Sequence, residues 1–197
     1  MRATTTATIP GLDPVKLDEF NKYAEANPND VVLGLEATTI WEGHGVENLG
    51  KIGRWQLAGQ VIDKPTRDFS IQFGAWKEVE EQIGVEGAHD RIEPMEAALA
   101  GMASCVSTAI TLNAAREGVS FDGLEVTAKA TVDPRVLLGA VPAEEAESCL
   151  QRVDVEIKVD GDLSSEQKEK VIEMARRSPV HALIKGENTI NERLVDA

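Results

Sequence analysis

The residue with the clearest chemical potential in this sequence is Cys105, one of only two cysteines among 197 residues. It lies within an uncharged run, residues 97–112, although 27% of the chain is charged. The thiolate is the attacking species in cysteine chemistry, and a free cysteine is mostly protonated at neutral pH. Buried cysteines are also common as inert core residues. The sequence therefore leaves two roles open for Cys105, a reactive site or simple packing.

The run that carries Cys105 is predicted to form one long central helix. Pro94 suits a first helical turn because its missing N–H would be unpaired there, and Glu96 is favoured near the positive end of the helix dipole. Gly118 is typical of a helix end. A membrane span needs about 20 strongly apolar residues, whereas this run is shorter and contains Gly, Ser and Thr. We expect a buried helix whose small residues let other elements approach closely.

A thiolate at Cys105 would need a nearby cation, because the residue lies about three turns into the helix, where the dipole has faded. Six side chains could supply this charge, and each is also explained as a solvated surface residue: Arg54, Arg67, Arg91, His44, His89 and His181. The histidines and cysteines are not at ligand spacing, and there is no glycine-rich phosphate loop. We therefore predict no metal site and no cofactor.

The composition excludes several classes of function. A formal net charge of −14 disfavours binding to nucleic acid or to an anionic membrane surface. The first residues, MRATTTATIP, lack the apolar segment of a signal peptide. Two cysteines do not make a disulfide framework, so we expect a cytoplasmic protein.

The order of elements predicts an α+β fold, β-β-β-α-β-β-α-β with an extra helix in front. We expect an N-terminal segment, 1–30, and one domain, 31–197. In chain order, the predicted elements are a loose tail at 1–11, a short helix from Pro14 to about Ala26, strands at 31–41, 52–62 and 69–76, an irregular acidic stretch at 77–92, the central helix, strands at 124–132 and 153–159 joined by a loop at 133–148, a helix capped by Ser164 that stops near Arg177, a short helix from Ser178 to Gly186, and a final strand at 189–195.

Three motifs resemble the OsmC/Ohr family, the osmotically inducible protein C and organic hydroperoxide resistance proteins. Pro94-Met95-Glu96 precedes Cys105, which follows the proline by eleven residues. Residues 118–126, GVSFDGLEV, resemble the family's link from the central helix to the next strand. Ser178-Pro179-Val180 lies where the family usually has Cys-Pro-Val. The resemblance covers about residues 31–195.

The resemblance implies an intertwined homodimer that packs two long central helices inside, with two sites at the subunit interface. It implies reduction of an organic hydroperoxide by a peroxidatic cysteine, here Cys105. In the family an arginine and a glutamate organise the thiolate, a resolving cysteine forms a disulfide, and a dithiol regenerates the enzyme. Arg54 lies roughly where the family's arginine arises, and Glu96 lies close to the position of its glutamate.

The chain departs from the family pattern at two of these positions. Met95 stands directly after the proline, where peroxidase members have glutamate, so Glu96 comes one residue later and is also explained as a first-turn cap. Ser178 stands at the resolving position and cannot form a disulfide, and a serine before proline is equally a helix N-cap. Cys149 does not replace the missing partner by its sequence position, and a small buried hydrophobe is its simplest role.

Two functions therefore stay open. The first is a thiol peroxidase that reduces organic hydroperoxides through Cys105 in oxidative-stress defence. The second is a non-enzymatic protein that binds another small apolar molecule or senses redox state, with Cys105 packed or regulatory. The spacing around Cys105 favours the first function, and Met95 and Ser178 favour the second.

Overall fold

A computed structural model describes residues 9–186 and 189–195. The predicted tail at 1–11 lies mostly outside these residues. The chain forms two compact units, one of residues 15–98 and one of residues 99–197 together with 1–14. The helices are α1 (Pro14–Ala26), α2 (Lys77–Gln82), α3 (Pro94–Glu117), α4 (Ala146–Cys149), α5 (Ser165–Ala175) and α6 (Pro179–Lys185), and the strands are β1 (Leu33–Trp41), β2 (Asn48–Leu57), β3 (Gln60–Ile62), β4 (Phe69–Phe73), β5 (Gly123–Val132) and β6 (Leu150–Asp160).

These helices and antiparallel strands confirm the predicted α+β class. In the first unit, β2 is the centre of a four-stranded sheet. It pairs with β1 on one side, while β4 and β3 share its other side, one along each half. The division of the chain after residue 30 stays a prediction.

The single strand predicted at 52–62 is wrong, because the chain reverses within it. Ala58 and Gly59 form a two-residue turn with φ angles of 49° and 77°, so β2 and β3 are the two arms of a hairpin. Such turns need positive φ at both positions and usually contain Asn, Asp or Gly. An alanine in the first position gives no such signal in the sequence.

A close crossing at Gly53 brings the segment before β4 onto β2. A Cβ atom placed at Gly53 would lie 1.9 Å from the carbonyl oxygen of Arg67. The side chain of Arg67 donates a hydrogen bond from Nε to the Gly53 carbonyl at 3.1 Å, and its guanidinium lies over the ring of Phe69. Because residue 53 has no side chain, the segment 63–68 can lie directly against β2 at this point.

The stretch at 77–92, predicted to be irregular, contains α2. Six residues are too few for periodicity to identify a helix, and here the chain starts the helix with hydrogen bonds from Val79 and Glu80 to the Trp76 carbonyl. The segment after α2 returns along β4, where Ile92 bridges Phe73 in parallel and Gly74 donates to the Ile92 carbonyl at 3.1 Å. The residues that lead into α3 are thus tied to the first sheet.

Helix α3 has 24 residues, as its sequence predicts, but only one side of it is covered. Met102, Val106, Ile110 and three alanines form its buried stripe. Its C-terminus closes at Gly118, which has a φ of 67°. Among the described residues, α3 is the one helix long and apolar enough to cross a membrane, a test that the core helices of many globular proteins also pass.

In the second unit, β5 and β6 form an antiparallel pair that is followed by α5 and α6. Ser164 and Gln167 make the predicted capping box of α5, and Gly186 adopts a left-handed conformation after α6. The predicted final strand at 189–195 is wrong, because these residues form no strand, and Leu194 is fully exposed. A segment without a neighbouring strand cannot satisfy its backbone as a ladder.

Candidate functional site

Cys105 lies near the middle of α3, directly before the buried Val106, and is half-buried. Among the described residues, no hydrogen bond, ion pair or disulfide involves its thiol. The polar side chains that follow it on α3 are satisfied by the helix itself. Thr108, Thr111 and Asn113 donate to the carbonyls of Ser104, Ser107 and Ala109 at 3.0, 3.1 and 2.7 Å. These three side chains are therefore satisfied within α3, and none of them bonds to the thiol.

Ser178 lies in the same unit and is 1% exposed. Its Oγ accepts a hydrogen bond from the His181 N–H at 3.2 Å and so caps α6. The residue before it, Arg177, donates to Asn113 and lies 3.7 Å from Glu117, which ties the start of α6 to the last turns of α3. No hydrogen bond joins Ser178 to Cys105.

Glu96 lies in the first unit, in the first turn of α3, where its carboxylate has two partners. One oxygen accepts from the Glu93 N–H at 3.1 Å, and the other accepts from the indole N–H of Trp76 at 3.3 Å. Glu93 in turn accepts from the N–H groups of Met95 and Glu96. The two glutamates therefore cap the helix reciprocally, an arrangement that the helix dipole also favours.

Arg54 is exposed on β2, with its Nε 3.9 Å from a Glu36 oxygen. It lines an open cleft of about 700 Å³ between β1, β2 and the crossing segment 63–68. The charged side chains that line this cleft are Glu36, Lys51, Arg54, Asp63, Lys64, Arg67 and Asp68. Arg54 and Glu96 have separate sets of neighbours, and no hydrogen bond or ion pair joins them.

A second, more buried charge cluster lies around Arg91, whose side chain is 10% exposed. The guanidinium donates to Glu42 and, at 2.8 Å, to Glu47, and its Nε donates to His89 Nε2 at 3.1 Å. The opposite oxygen of Glu47 lies 3.3 Å from His44 Nδ1 and 3.6 Å from His89 Nδ1. We call these residues, with Glu80, the Arg91 cluster.

Glu80 adds a third carboxylate to the Arg91 cluster from α2. It is fully buried, and one of its oxygens accepts from the Ala75 N–H at 3.2 Å while the other has no partner. The hydrogen bond to Glu42 raises the pKa of Arg91 above its ordinary value, and the charges of Glu47, Glu42 and Glu80 act in the same direction against desolvation. Arg91 therefore stays charged and joins Glu42 to Glu47, with the charge of Glu80 nearby.

The sequence of this chain matches a known protein family. A family model described as OsmC-like protein matches residues 87–193, which is more than half of the chain and includes both Cys105 and Ser178. The chain belongs to the OsmC-like family. This confirms the resemblance seen in the sequence.

Solved structures of OsmC-like proteins share the fold. An OsmC-like protein from Mycoplasma pneumoniae has a TM-score of 0.53 and 15% identity, covering 78% of this chain and 88% of that chain. An organic hydroperoxide resistance protein from Elizabethkingia anophelis, with crystallant-derived thiocyanate bound, has a TM-score of 0.50 and 15% identity, covering 79% and 89%. At such identities the likeness shows the fold alone. No curated protein sequence gives a significant match.

In this OsmC-like chain, the candidate residues are divided between the two units. Arg54 and Glu96 lie in the first unit, and Cys105 and Ser178 lie in the second. Among the candidate cations, Arg91, His44 and His89 lie together, which sequence reasoning did not predict. The sequence gives only a weak signal for this cluster, because Glu42 and Glu47 flank the turn of a hairpin. Their contact with Arg91 depends on how the segment before α3 pairs with β4.

Proposed function

We propose that this OsmC-like protein is a thiol-dependent peroxidase that reduces organic hydroperoxides through Cys105. The observation that supports this most directly is the family match, which spans the central helix and its cysteine. The structural neighbour from Elizabethkingia anophelis is named for organic hydroperoxide resistance.

The proposed reaction is a two-electron reduction of the peroxide bond. The Cys105 thiolate attacks one oxygen of ROOH, the O–O bond breaks, and RO⁻ leaves and takes a proton to become the alcohol ROH. Cys105 is thereby oxidised to a sulfenic acid. One thiol of an external dithiol then displaces water to form a mixed disulfide, and its second thiol attacks that bond. This releases the oxidised dithiol and returns Cys105 to the thiol.

The resolving step distinguishes this chain from a two-cysteine peroxidase. Ser178 caps α6 and has no sulfur, so the sulfenic acid at Cys105 has to wait for an external thiol. We therefore expect slow turnover and sensitivity to over-oxidation. A small dithiol that can enter the site should be a better reductant than a large one.

We propose that the active protein is a homodimer. The side of α3 opposite its buried stripe is open in the single chain, where Leu112 is 37% exposed. On the edge strand β1, Leu35 and Trp41 are 80% and 62% exposed. Apolar surface of this extent is typical of an interface. Light scattering at micromolar concentration should therefore give twice the mass of 21.3 kDa, and a stable folded monomer would contradict the proposal.

A second candidate function rests on the absence of a charged partner for Cys105 among the described residues. With such surroundings the protein would bind a small apolar molecule, or its thiol would be oxidised once as a sensor. It would then consume one equivalent of hydroperoxide per chain and stop, even with excess dithiol. A cytoplasmic location suits either function, because reducing conditions keep Cys105 a thiol.

The decisive experiment measures consumption of an alkyl hydroperoxide with excess dithiol. We expect repeated turnover by the natural protein and its loss in Cys105→Ser. Cys149→Ser is the matched control, since it removes the other half-buried cysteine and should leave turnover unchanged. A single equivalent consumed by the natural protein would favour the sensor, and equal activity in Cys105→Ser would reject both functions of the thiol.

A second variant tests the missing resolving residue. Ser178→Cys should form an intramolecular disulfide with Cys105 after oxidation and raise the rate of turnover with a dithiol. Mass spectrometry of the oxidised variant identifies the bond. A disulfide between Cys105 and Cys149 in the natural protein would contradict the proposal, because Cys149 would then be the resolving residue.

A further inference from the structure

The Arg91 cluster joins two parts of the first unit through one guanidinium. Glu42 and Glu47 stand at the two sides of the β1–β2 turn, where the Glu42 N–H donates to the Glu47 carbonyl at 3.0 Å. Arg91 lies in the segment that leads into α3, and it binds both carboxylates and the ring of His89. Its guanidinium therefore fastens the hairpin to the residues that precede α3.

The hydrogen bond between Arg91 and His89 indicates which ring nitrogen of a neutral His89 carries the proton. Arginine has donors only, so His89 Nε2 must offer its lone pair to Arg91 Nε. The ring proton then lies on Nδ1, which faces the Gly87 carbonyl at 3.4 Å and Glu47 at 3.6 Å. Both nitrogens of a protonated imidazole are donors. A protonated His89 would thus direct an N–H at the N–H of Arg91.

We propose that the Arg91 cluster is a pH-sensitive clamp, in which neutral His89 accepts a hydrogen bond from Arg91, and protonation of His89 exchanges this hydrogen bond for an ion pair with Glu47, which lies 3.6 Å from its Nδ1. Imidazole is the side chain that ordinarily changes its charge between about pH 5 and 8. The side chain of His89 is 54% exposed, so water can accept a hydrogen bond from the new Nε2–H once Arg91 no longer donates to that nitrogen. The clamp would then lose one of its three hydrogen bonds.

The other charged groups around His89 decide how strongly the clamp responds. Glu42 and Glu47 face His89 from the hairpin, and Glu80 faces Arg91 from α2. His44 lies beside the same Glu47 oxygen as His89. Asp90, the neighbour of His89, accepts from the Lys77 N–H at 3.0 Å and points to α2 instead. Arg91 donates to Glu42 and Glu47, whereas Glu80 has no hydrogen bond with Arg91 and acts on it through its charge alone.

This geometry also distinguishes the clamp from a metal site. A metal ligand at His89 Nδ1 would need that nitrogen to be free of its proton, whereas Arg91 already requires the proton to be there. No group of three metal-binding side chains is found in the part of the chain that the structure describes. The tautomer that Arg91 requires therefore disfavours a metal ion at His89 Nδ1.

Nitrogen-15 NMR of the full-length protein tests the clamp. At pH 7.5 the His89 signals should be those of a neutral ring protonated at Nδ1. On acidification to pH 5.5, protection of the Arg91 Nε–H against solvent exchange should fall about tenfold relative to the exposed Arg54 Nε–H, the loss expected for one hydrogen bond. A ring protonated at Nε2 at pH 7.5, or constant protection of Arg91, would overturn the proposal.

Two glutamine variants separate His89 from its neighbour. His89→Gln keeps an oxygen that accepts from Arg91 without gaining charge, so the dependence on pH should disappear. His44→Gln is the matched control on the same carboxylate, and it should keep the response. A response that survives in His89→Gln, or that vanishes in His44→Gln, would assign the switch to another group. If either variant does not fold, the protonation pattern of His89 in the natural protein still decides.

Discussion

Cys105 lies half-buried on a helix whose covered side chains are all apolar or small, whereas Arg91 donates hydrogen bonds to two carboxylates and one imidazole. Cysteine chemistry needs a positive charge near the sulfur, and charge networks need polar partners. Within the described residues, the Cys105 region therefore has a thiol without a charged partner, and the Arg91 region has charged partners without a thiol. The charge network and the cysteine belong to different units of this chain, so mutations in the two regions should have different effects.

The largest effect should come from the packed side of α3. Ile110 is fully buried, and Ile110→Ala should lower the free energy of unfolding by about 2–5 kcal/mol through lost apolar contact and a cavity. Urea denaturation measures it. The matched variant is Leu112→Ala on the open side, which should cost little at low protein concentration and more as the dimer forms. An equal, small loss for both would contradict the asymmetric burial of α3.

Removal of the central cation should come next. Arg91→Met leaves Glu42, Glu47 and Glu80 as neighbouring carboxylates without their partner, so Tm should fall by roughly 6 °C or more. Arg54→Met is the control, because the long and exposed contact with Glu36 should be worth less than about 2 °C. Thermal unfolding followed by circular dichroism at one protein concentration gives both values. Equal shifts would mean that the buried cluster contributes no more than a surface pair.

A smaller effect should follow from the helix caps. Ser178→Ala and Ser164→Ala each remove a hydroxyl that accepts a hydrogen bond from the first turn of a helix, at a cost of about 1 kcal/mol. Ser164 is a plain cap and therefore serves as the reference. A loss at Ser178 that matches Ser164 would show that the serine is a cap in this chain. No loss at Ser178 would contradict that role.

The smallest effect should be a pH dependence in the loop after β5. Hydrogen bonds from Arg135 lower the pKa of Asp133 below its ordinary value. The ionised form therefore favours the folded loop, and this contribution is complete above about pH 4. It is lost as the pH falls through the folded-state pKa. Asp133→Asn should abolish this acid dependence, and amide exchange of residues 133–139 measures it. An unchanged acid response would assign it to other carboxylates.

The elements that could be predicted from the sequence carry their signals locally. The capping box at Ser164 and the glycines after α3 and α6 mark helix ends within a few residues. The turn at Ala58 lacks the usual residue type, and α2 is too short for its periodicity to be seen. The strand expected at 189–195 depends on a pairing partner, and no local pattern identifies one.

The candidate site was predictable to a different degree. Cys105 stands out because it is the one thiol within an uncharged run of residues, 97–112, in a charged chain. The Arg91 cluster gave little signal, because its members come from a hairpin, from α2 and from the segment before α3, which only the folded sheet brings together.

The crossing at Gly53 has a consequence for how this protein can diverge. The charged side chains around the cleft project from its walls, so relatives are free to exchange lysine, arginine and aspartate there and to change the charge of the opening. Residue 53 has no such freedom, because the Cβ atom of any other residue there would collide with the Arg67 carbonyl. The charge of this cleft can therefore change between relatives while its backbone shape stays the same. We expect a glycine at this position wherever the crossing is retained.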